Sequence, residues 1–161
     1  MNRFLIANAQ QCIGCRTCEV ACAVAHQQAQ DVSMLSTSHF APRIRVVKSG
    51  EISTATACRQ CEDAPCASVC PQGAIRLEED VWWVDQRRCI GCKSCMVACP
   101  YGAITVTVVN QQAQALKCDL CHHCAEGPAC VAACPTQALR VMAPAELEAL
   151  CAQKRQRLAL A

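Results

Sequence analysis

Residues 89–100 read Cys-Ile-Gly-Cys-Lys-Ser-Cys-Met-Val-Ala-Cys-Pro, and this stretch decides the fold. Two residues separate each of the first three cysteines, three residues separate the third from the fourth, and a proline follows directly. Cysteines this close together cannot all pair in disulfides, but they can surround one compact metal centre. The stretch therefore predicts a fold that is organised around bound metal.

Similar groups of four cysteines occur four times, so the chain is built from an internal repeat. The four motifs are Cys12, Cys15, Cys18 and Cys22; Cys58, Cys61, Cys66 and Cys70; Cys89, Cys92, Cys95 and Cys99; and Cys118, Cys121, Cys130 and Cys134. The last three motifs close with a Cys-Pro pair, a turn and a short β-like run. Cys124 and Cys151 are left over, and we interpret Cys124 as a free thiol on a loop, with replacement of Cys121 or Cys130 as a ligand as the alternative.

Composition excludes several classes of protein. The 161 residues include 18 cysteines but only 3% aromatic residues, so metal bonds must stand in for part of the core. A net charge of +2 without a basic stripe argues against nucleic-acid binding, and no run of eighteen apolar residues could span a membrane. The first residues lack the apolar core of a signal peptide, so we expect a cytoplasmic protein in which clustered cysteines indicate metal.

The spacing favours [4Fe–4S] cubes, which take four thiolates, over zinc. Zinc sites use two Cys-x2-Cys knuckles around one ion, and only the fourth motif fits that arrangement. Gly14 and Gly91 lie inside the metal-binding loops, where the absence of a Cβ atom lets the backbone approach closely. Every motif already has four thiolates, so we expect no ligand among the histidines, which are His26, His39, His122 and His123.

The sequence between the motifs predicts short elements of both kinds. Strand candidates cover 3–7, 44–48 and 81–84, where adjacent Trp82 and Trp83 point to opposite faces, one to the core and one available to a partner. Residues 111–115 are polar without a periodic face and are predicted to be a loop. Pro144, with acidic residues after it and basic ones later, predicts an amphipathic C-terminal helix.

Four stretches carry a resemblance to a known family: 12–22, 58–66, Lys-Cys-Asp-Leu-Cys at 117–121 and Gly-Pro-Ala-Cys at 127–130. They resemble the four-cluster electron-transfer subunits of molybdenum oxidoreductases, and within these the HydN-type family of formate dehydrogenase and formate hydrogenlyase systems. The resemblance covers nearly the whole chain. It implies an α+β fold of two pseudo-symmetric modules, each like a bacterial ferredoxin and each holding two [4Fe–4S] clusters.

The resemblance also implies that the fourth cysteine of each motif serves the neighbouring cluster. The implied ligand sets are Cys12, Cys15, Cys18 and Cys134; Cys118, Cys121, Cys130 and Cys22; Cys58, Cys61, Cys66 and Cys99; and Cys89, Cys92, Cys95 and Cys70. The expected organisation is an outer module of 1–22 with 110–143, an inner module of 58–109, a connector of 23–57 and the helix at 144–161.

By this resemblance the chain is an electron-transfer subunit and not itself an enzyme. It would relay single electrons between a molybdenum formate dehydrogenase-type catalytic subunit and a hydrogenase, or another iron–sulfur or flavin subunit. The sequence shows no nucleophile–base set and no nucleotide-binding glycine loop. An accessory role in the assembly of formate dehydrogenase or hydrogenase remains the alternative.

Overall fold

The computed structural model describes residues 1–27, 29–37, 40–109 and 111–160. The elements alternate between short strands and short helices along the chain. In chain order they are β1 (Phe4–Ala7), α1 (Thr17–Ala25), a 3-10 turn (Val32–Met34), β2 (Arg45–Ser49), β3 (Ile52–Thr56), α2 (Pro65–Ser68), β4 (Ile75–Glu78), β5 (Val81–Val84), α3 (Ser94–Ala98), β6 (Thr105–Val109), β7 (Gln112–Leu116), α4 (Ala129–Ala132), β8 (Leu139–Met142) and α5 (Pro144–Ala159).

Within these described ranges, the strands pair as four separate antiparallel ribbons. Three of them join consecutive strands, β2 with β3, β4 with β5 and β6 with β7. The fourth joins β1 to β8, with Phe4 opposite Met142 and Ala7 opposite Leu139. This long-range pairing places the first cysteine motif beside the fourth, and helix α1 packs against α4. Helix α2 packs against α3 and places the second motif beside the third.

The predicted mixture of short strands, short helices and a C-terminal helix is confirmed. The strands predicted at 3–7, 44–48 and 81–84 correspond to β1, β2 and β5, and the runs after the Cys-Pro pairs form β4, β6 and β8. The loop predicted at 111–115 is wrong, because most of it forms β7. Antiparallel pairing with β6, from Val109 opposite Gln112 to Thr105 opposite Leu116, supplies the order that its polar sequence does not indicate.

Cysteines supply much of the buried interior. One cluster combines Leu5, Ile44 and Leu139 with cysteines of the first, second and fourth motifs. A second cluster combines Ile75 and Ile104 with cysteines of the second and third motifs. Apolar side chains and cysteines therefore share the same buried clusters.

Helix α5 begins at Pro144 as predicted, and the Glu146 carboxylate accepts a hydrogen bond from the Ala143 amide at 3.0 Å. Its apolar side is half-buried early, at Leu147 and Leu150, whereas Leu158 near its end is 79% exposed. No residue of α5 is fully buried. Among the described residues, no helix combines the length and apolar character needed to traverse a lipid bilayer.

Candidate metal centres

The structure brings the cysteines together in four groups that mix residues from different motifs. We number each group after the motif that supplies three of its members. Site 1 contains Cys12, Cys15, Cys18 and Cys134; site 2 contains Cys58, Cys61, Cys66 and Cys99; site 3 contains Cys89, Cys92, Cys95 and Cys70; and site 4 contains Cys118, Cys121, Cys130 and Cys22.

A cavity lies between the four cysteines at each of three sites. All four cysteines of the site line each of these cavities. At site 4 all four cysteines are buried, and the Cys130 thiol is electrostatically coupled to the other three. The groupings match the crossed sets that the family resemblance implies. Four thiols converging on an enclosed space form a donor set that fits a [4Fe–4S] cluster.

The sites differ in their access to solvent. Cys15 of site 1 and Cys92 of site 3 are exposed. Site 2 and site 4 contain no exposed cysteine. We call sites 1 and 3 open, because each has one exposed cysteine, and sites 2 and 4 enclosed, because their cysteines are buried or half-buried.

Burial shapes the acidity of the enclosed thiols. Loss of hydration raises the pKa of Cys66 to about 11 and that of Cys118 to about 12. It also raises the pKa of Cys121 to about 11 and shifts that of Cys130 strongly upward. Without a cation these thiols stay protonated at neutral pH, so metal binding must displace protons from them. Such cysteines suit a permanent metal site better than a reactive surface thiol.

The exposed thiols of Cys15 and Cys92 have lowered pKa values, and the same local arrangement causes the shift in both. The Thr17 hydroxyl donates a hydrogen bond to Cys15 Sγ at 3.3 Å, and Ser94 Oγ lies 3.5 Å from Cys92 Sγ. These contacts are the main reason that the pKa of each thiol is lowered. Each hydroxyl lies two residues after its cysteine, so the sequence repeat carries this second interaction along with the ligand spacing.

Backbone amides also point at sulfur, and the phrase that follows each Cys-Pro pair supplies them. Ala74 N donates to Cys70 Sγ at 3.3 Å, and Ala103 N donates to Cys99 Sγ at 3.4 Å. Arg43 N donates in the same way to Cys22 Sγ at 3.2 Å. Such donors stabilise negative charge on the sulfur and are one of the means by which a protein adjusts cluster potential.

The two loop glycines also make room for neighbouring strands. Gly14 and Gly91 have φ of +71° and +69°, and each faces a neighbouring ribbon. A Cβ on Gly14 would lie 2.9 Å from Ser53 Oγ on β3, and one on Gly91 would overlap the Cβ of Ala113 on β7. The glycines therefore allow the ribbons β2–β3 and β6–β7 to cover sites 1 and 3.

A network of charged side chains lies beside site 4, and nothing in the sequence indicated it. His26 Nε2 lies 3.1 Å from Asp119 Oδ1, and Arg43 pairs with the other carboxylate oxygen. Burial would lower the pKa of His26, but its contacts with Asp119 and Cys22 raise it to about 9. His26 and Asp119 are 93 residues apart, so spacing held no signal for this pair. His26, Asp119 and Cys121 place their donor atoms within 4.8 Å of one another.

The remaining residues singled out from sequence fall into place as follows. Trp82 lines the cavity of site 2, and its Nε1 donates to Cys61 O at 2.8 Å. Trp83 is half-buried, and its Nε1 has no hydrogen-bond partner in the described part of the chain. Cys124 is half-buried beside site 4, where its amide donates to Cys121 O at 2.7 Å. His39 lies outside the described residues.

Two buried polar side chains lie between site 2 and site 4. Lys117 is 1% exposed and Gln60 is 2% exposed. Gln60 Nε2 donates to Cys118 O at 2.8 Å, while Trp82 N donates to Gln60 Oε1 at 2.8 Å. In the sequence alone, Lys117 resembles the other lysines and arginines near the cysteine motifs, which are typical of solvated side chains. The structure shows Lys117 enclosed by protein, unlike Arg16 and Arg87, whose side chains are 66% and 89% exposed.

The fold and these cysteine groups define an iron–sulfur protein of the ferredoxin type. The family model described as a 4Fe-4S dicluster domain matches residues 51–143, and one described as a 4Fe-4S binding domain matches residues 9–25. Because the dicluster match covers more than half of the chain, the chain belongs to the 4Fe-4S dicluster family.

Several similar proteins are named as electron transport proteins. The chain is 57% identical to the electron transport protein HydN of Escherichia coli K12, over 99% of both chains. It is 61% identical to the "Putative electron transport protein YsaA" of the same strain, over 88% of this chain and 90% of that one. It is also 47% identical to the "Putative oxidoreductase AegA", over 99% of this chain but only 25% of that protein. The HydN-type family that the sequence resembles is thus confirmed.

Proposed function

We propose that the chain holds four [4Fe–4S] clusters, one in each site, and relays single electrons between protein partners. The convergence of four thiols at each site, around a shared cavity at three of them, is the observation that carries this proposal. Each cluster, when bound, would accept and release one electron at a time. The residues of this chain supply sulfur ligands, amide donors and cover.

The clusters fall into two pairs in this proposal, one in each module. Sites 1 and 4 share motifs one and four, which the β1–β8 pairing and the α1–α4 contact support. Sites 2 and 3 share motifs two and three, which the α2–α3 contact supports. The enclosed sites, 4 and 2, then lie between the open ones, so electrons enter at one open site and leave at the other. Cys15 and Cys92 mark these two ends.

The proposed partner at one end is a molybdenum formate dehydrogenase-type subunit, which oxidises formate to carbon dioxide and a proton and releases two electrons. The acceptor at the other end is a hydrogenase or another iron–sulfur or flavin subunit. Two relatives named as putative oxidoreductases, AegA and UacF, in which the matching part is 25% and 21% of the length, support the view that this module serves a separate catalytic unit. The connector 23–57 and helix α5 are the candidate partner contacts.

Anaerobic purification with iron and sulfide analysis tests the core of the proposal. Four cubes require about sixteen irons per polypeptide. The co-purified proteins are identified in the same sample, and formate is then added to that sample. A relay stays at fixed stoichiometry with the catalytic subunit and is reduced during turnover, whereas an assembly factor is absent from the active enzyme. Far fewer than sixteen irons in an intact chain would contradict the four-cluster assignment.

A further inference from the structure

Lys117 occupies an unusual position for a cation. Its Nζ donates hydrogen bonds to Trp82 O and, at 3.1 Å, to Cys118 O. Across residues 1–27, 29–37, 40–109 and 111–160, no ion pair joins it to a carboxylate. A buried ammonium that only carbonyl oxygens solvate loses much of its hydration free energy, so a compensating negative charge is expected nearby.

The nearest candidates for that charge are the two enclosed sites. Lys117 lines the cavity of site 2 together with Cys58, Cys61, Cys66 and Cys99. It also directly precedes Cys118 of site 4. The Nζ atom also donates to Cys118 O, the carbonyl oxygen of that site 4 ligand, at 3.1 Å. One ammonium group therefore lies beside ligands of two sites.

Hydrogen bonds around Lys117 also connect the loop of site 2 to the backbone of site 4. The Gln60 side chain, from the loop between Cys58 and Cys61, donates to Cys118 O, which also accepts from Lys117 Nζ. Asn2 Nδ2 donates to Gln60 O at 3.1 Å and to Cys61 O at 3.1 Å, which ties the N-terminus to the same loop. These bonds hold the ammonium at a defined position between site 2 and site 4.

We propose that the buried charge of Lys117 raises the reduction potentials of the clusters in sites 2 and 4 together. The inference rests on the proposed function. A cube held by four thiolates carries a charge of about −2 when oxidised and gains one more negative charge on reduction. A fixed cation stabilises the reduced form more than the oxidised form, and the low dielectric of the interior strengthens this effect. Because one charge faces both sites, their potentials rise in step.

The test is a redox titration of the anaerobically purified full chain, followed by electron paramagnetic resonance. A dysprosium chelate in solution speeds the relaxation of a cluster more when that cluster lies nearer to solvent, which orders the signals from open sites 1 and 3 through half-buried site 2 to buried site 4. Lys117→Gln keeps a hydrogen-bond donor and removes the charge, and Lys117→Met removes both. Lys117→Arg keeps the charge, and Lys48→Met removes one charge from an exposed strand position as the matched control.

We expect both neutral variants to lower the equilibrium constant for reduction of the two enclosed clusters at least tenfold. For a one-electron reduction, this is a downward shift of the potential by at least about 59 mV. Lys117→Arg and Lys48→Met should leave all four potentials near those of the parent. Selective loss of the enclosed clusters from both neutral variants, with Lys117→Arg intact, would support the same requirement for charge.

Three results would overturn the inference. The first is unchanged potentials in a Lys117→Gln protein with full iron content. The second is an equal shift in all four clusters, and the third is cluster loss in Lys117→Arg as well, which would assign the side chain a packing role. Iron analysis of the parent protein distinguishes a failure of the proposed function, because that failure would appear as missing iron before any substitution is made.

Discussion

Substituting Gly91 by alanine should destabilise site 3 more than the same substitution at Gly102. Both glycines have positive φ, +69° and +58°, so each alanine pays a left-handed backbone cost of roughly 1–2 kcal/mol. A Cβ at Gly102 meets nothing within 4 Å, whereas one at Gly91 overlaps Ala113 of β7. Overpacking of this kind adds about 1–3 kcal/mol, so the two variants separate what backbone strain and ribbon packing each contribute.

The assay is anaerobic heating of both variants at one scan rate, because cluster loss is irreversible and its midpoint depends on the rate. The extra destabilisation should lower the midpoint of Gly91→Ala by roughly 2–12 °C relative to Gly102→Ala. If site 3 opens first, about one quarter of the visible absorbance, one cluster in four, bleaches in the early phase. Equal midpoints for the two variants would refute the packing of β7 on the Gly91 loop.

Three further predictions concern the ligands and their surroundings. Cys70→Ser should alter the cluster of site 3 and spare that of site 2; a changed site 2 spectrum would contradict crossed ligation. Thr17→Val should lower the potential of the cluster in site 1 by on the order of tens of millivolts through loss of the hydroxyl bond to Cys15, with the unmodified Ser94 contact at site 3 as internal control. Removal of iron by a chelator should unfold most of the chain, because ligand bonds replace a core; circular dichroism that keeps full native content would count against this.

The cysteine pattern alone predicted much of the candidate site. The spacing within each motif places three thiols on one loop, and this local geometry depends on few other residues. The crossed grouping came from family resemblance, and the structure brings the same cysteines together. The sequence therefore anticipates the three ligands that lie on one loop, because the chain itself sets the distances between them.

What sequence missed depends on contacts between distant segments. Strand β7 is ordered by pairing with β6 and not by its own polar residues. Lys117 resembles any surface lysine until the fold encloses it beside Trp82. Asp119 and His26 meet only because helix α1 lies against the fourth motif. In each case a partner elsewhere in the chain decides the outcome, and a single sequence does not display that partner.

The antiparallel pairing of β1 with β8 has a consequence for biogenesis. The cysteines of sites 2 and 3 all lie within residues 58–99, so that half is complete while the ribosome is still making the rest. Sites 1 and 4 instead combine Cys12–Cys22 with Cys118–Cys134, and they cannot close until the last quarter of the polypeptide emerges. With the proposed crossed ligation, the nascent chain would keep its earliest thiols reduced and without metal through most of translation, and cofactor delivery would follow the order of spatial closure rather than the order of synthesis.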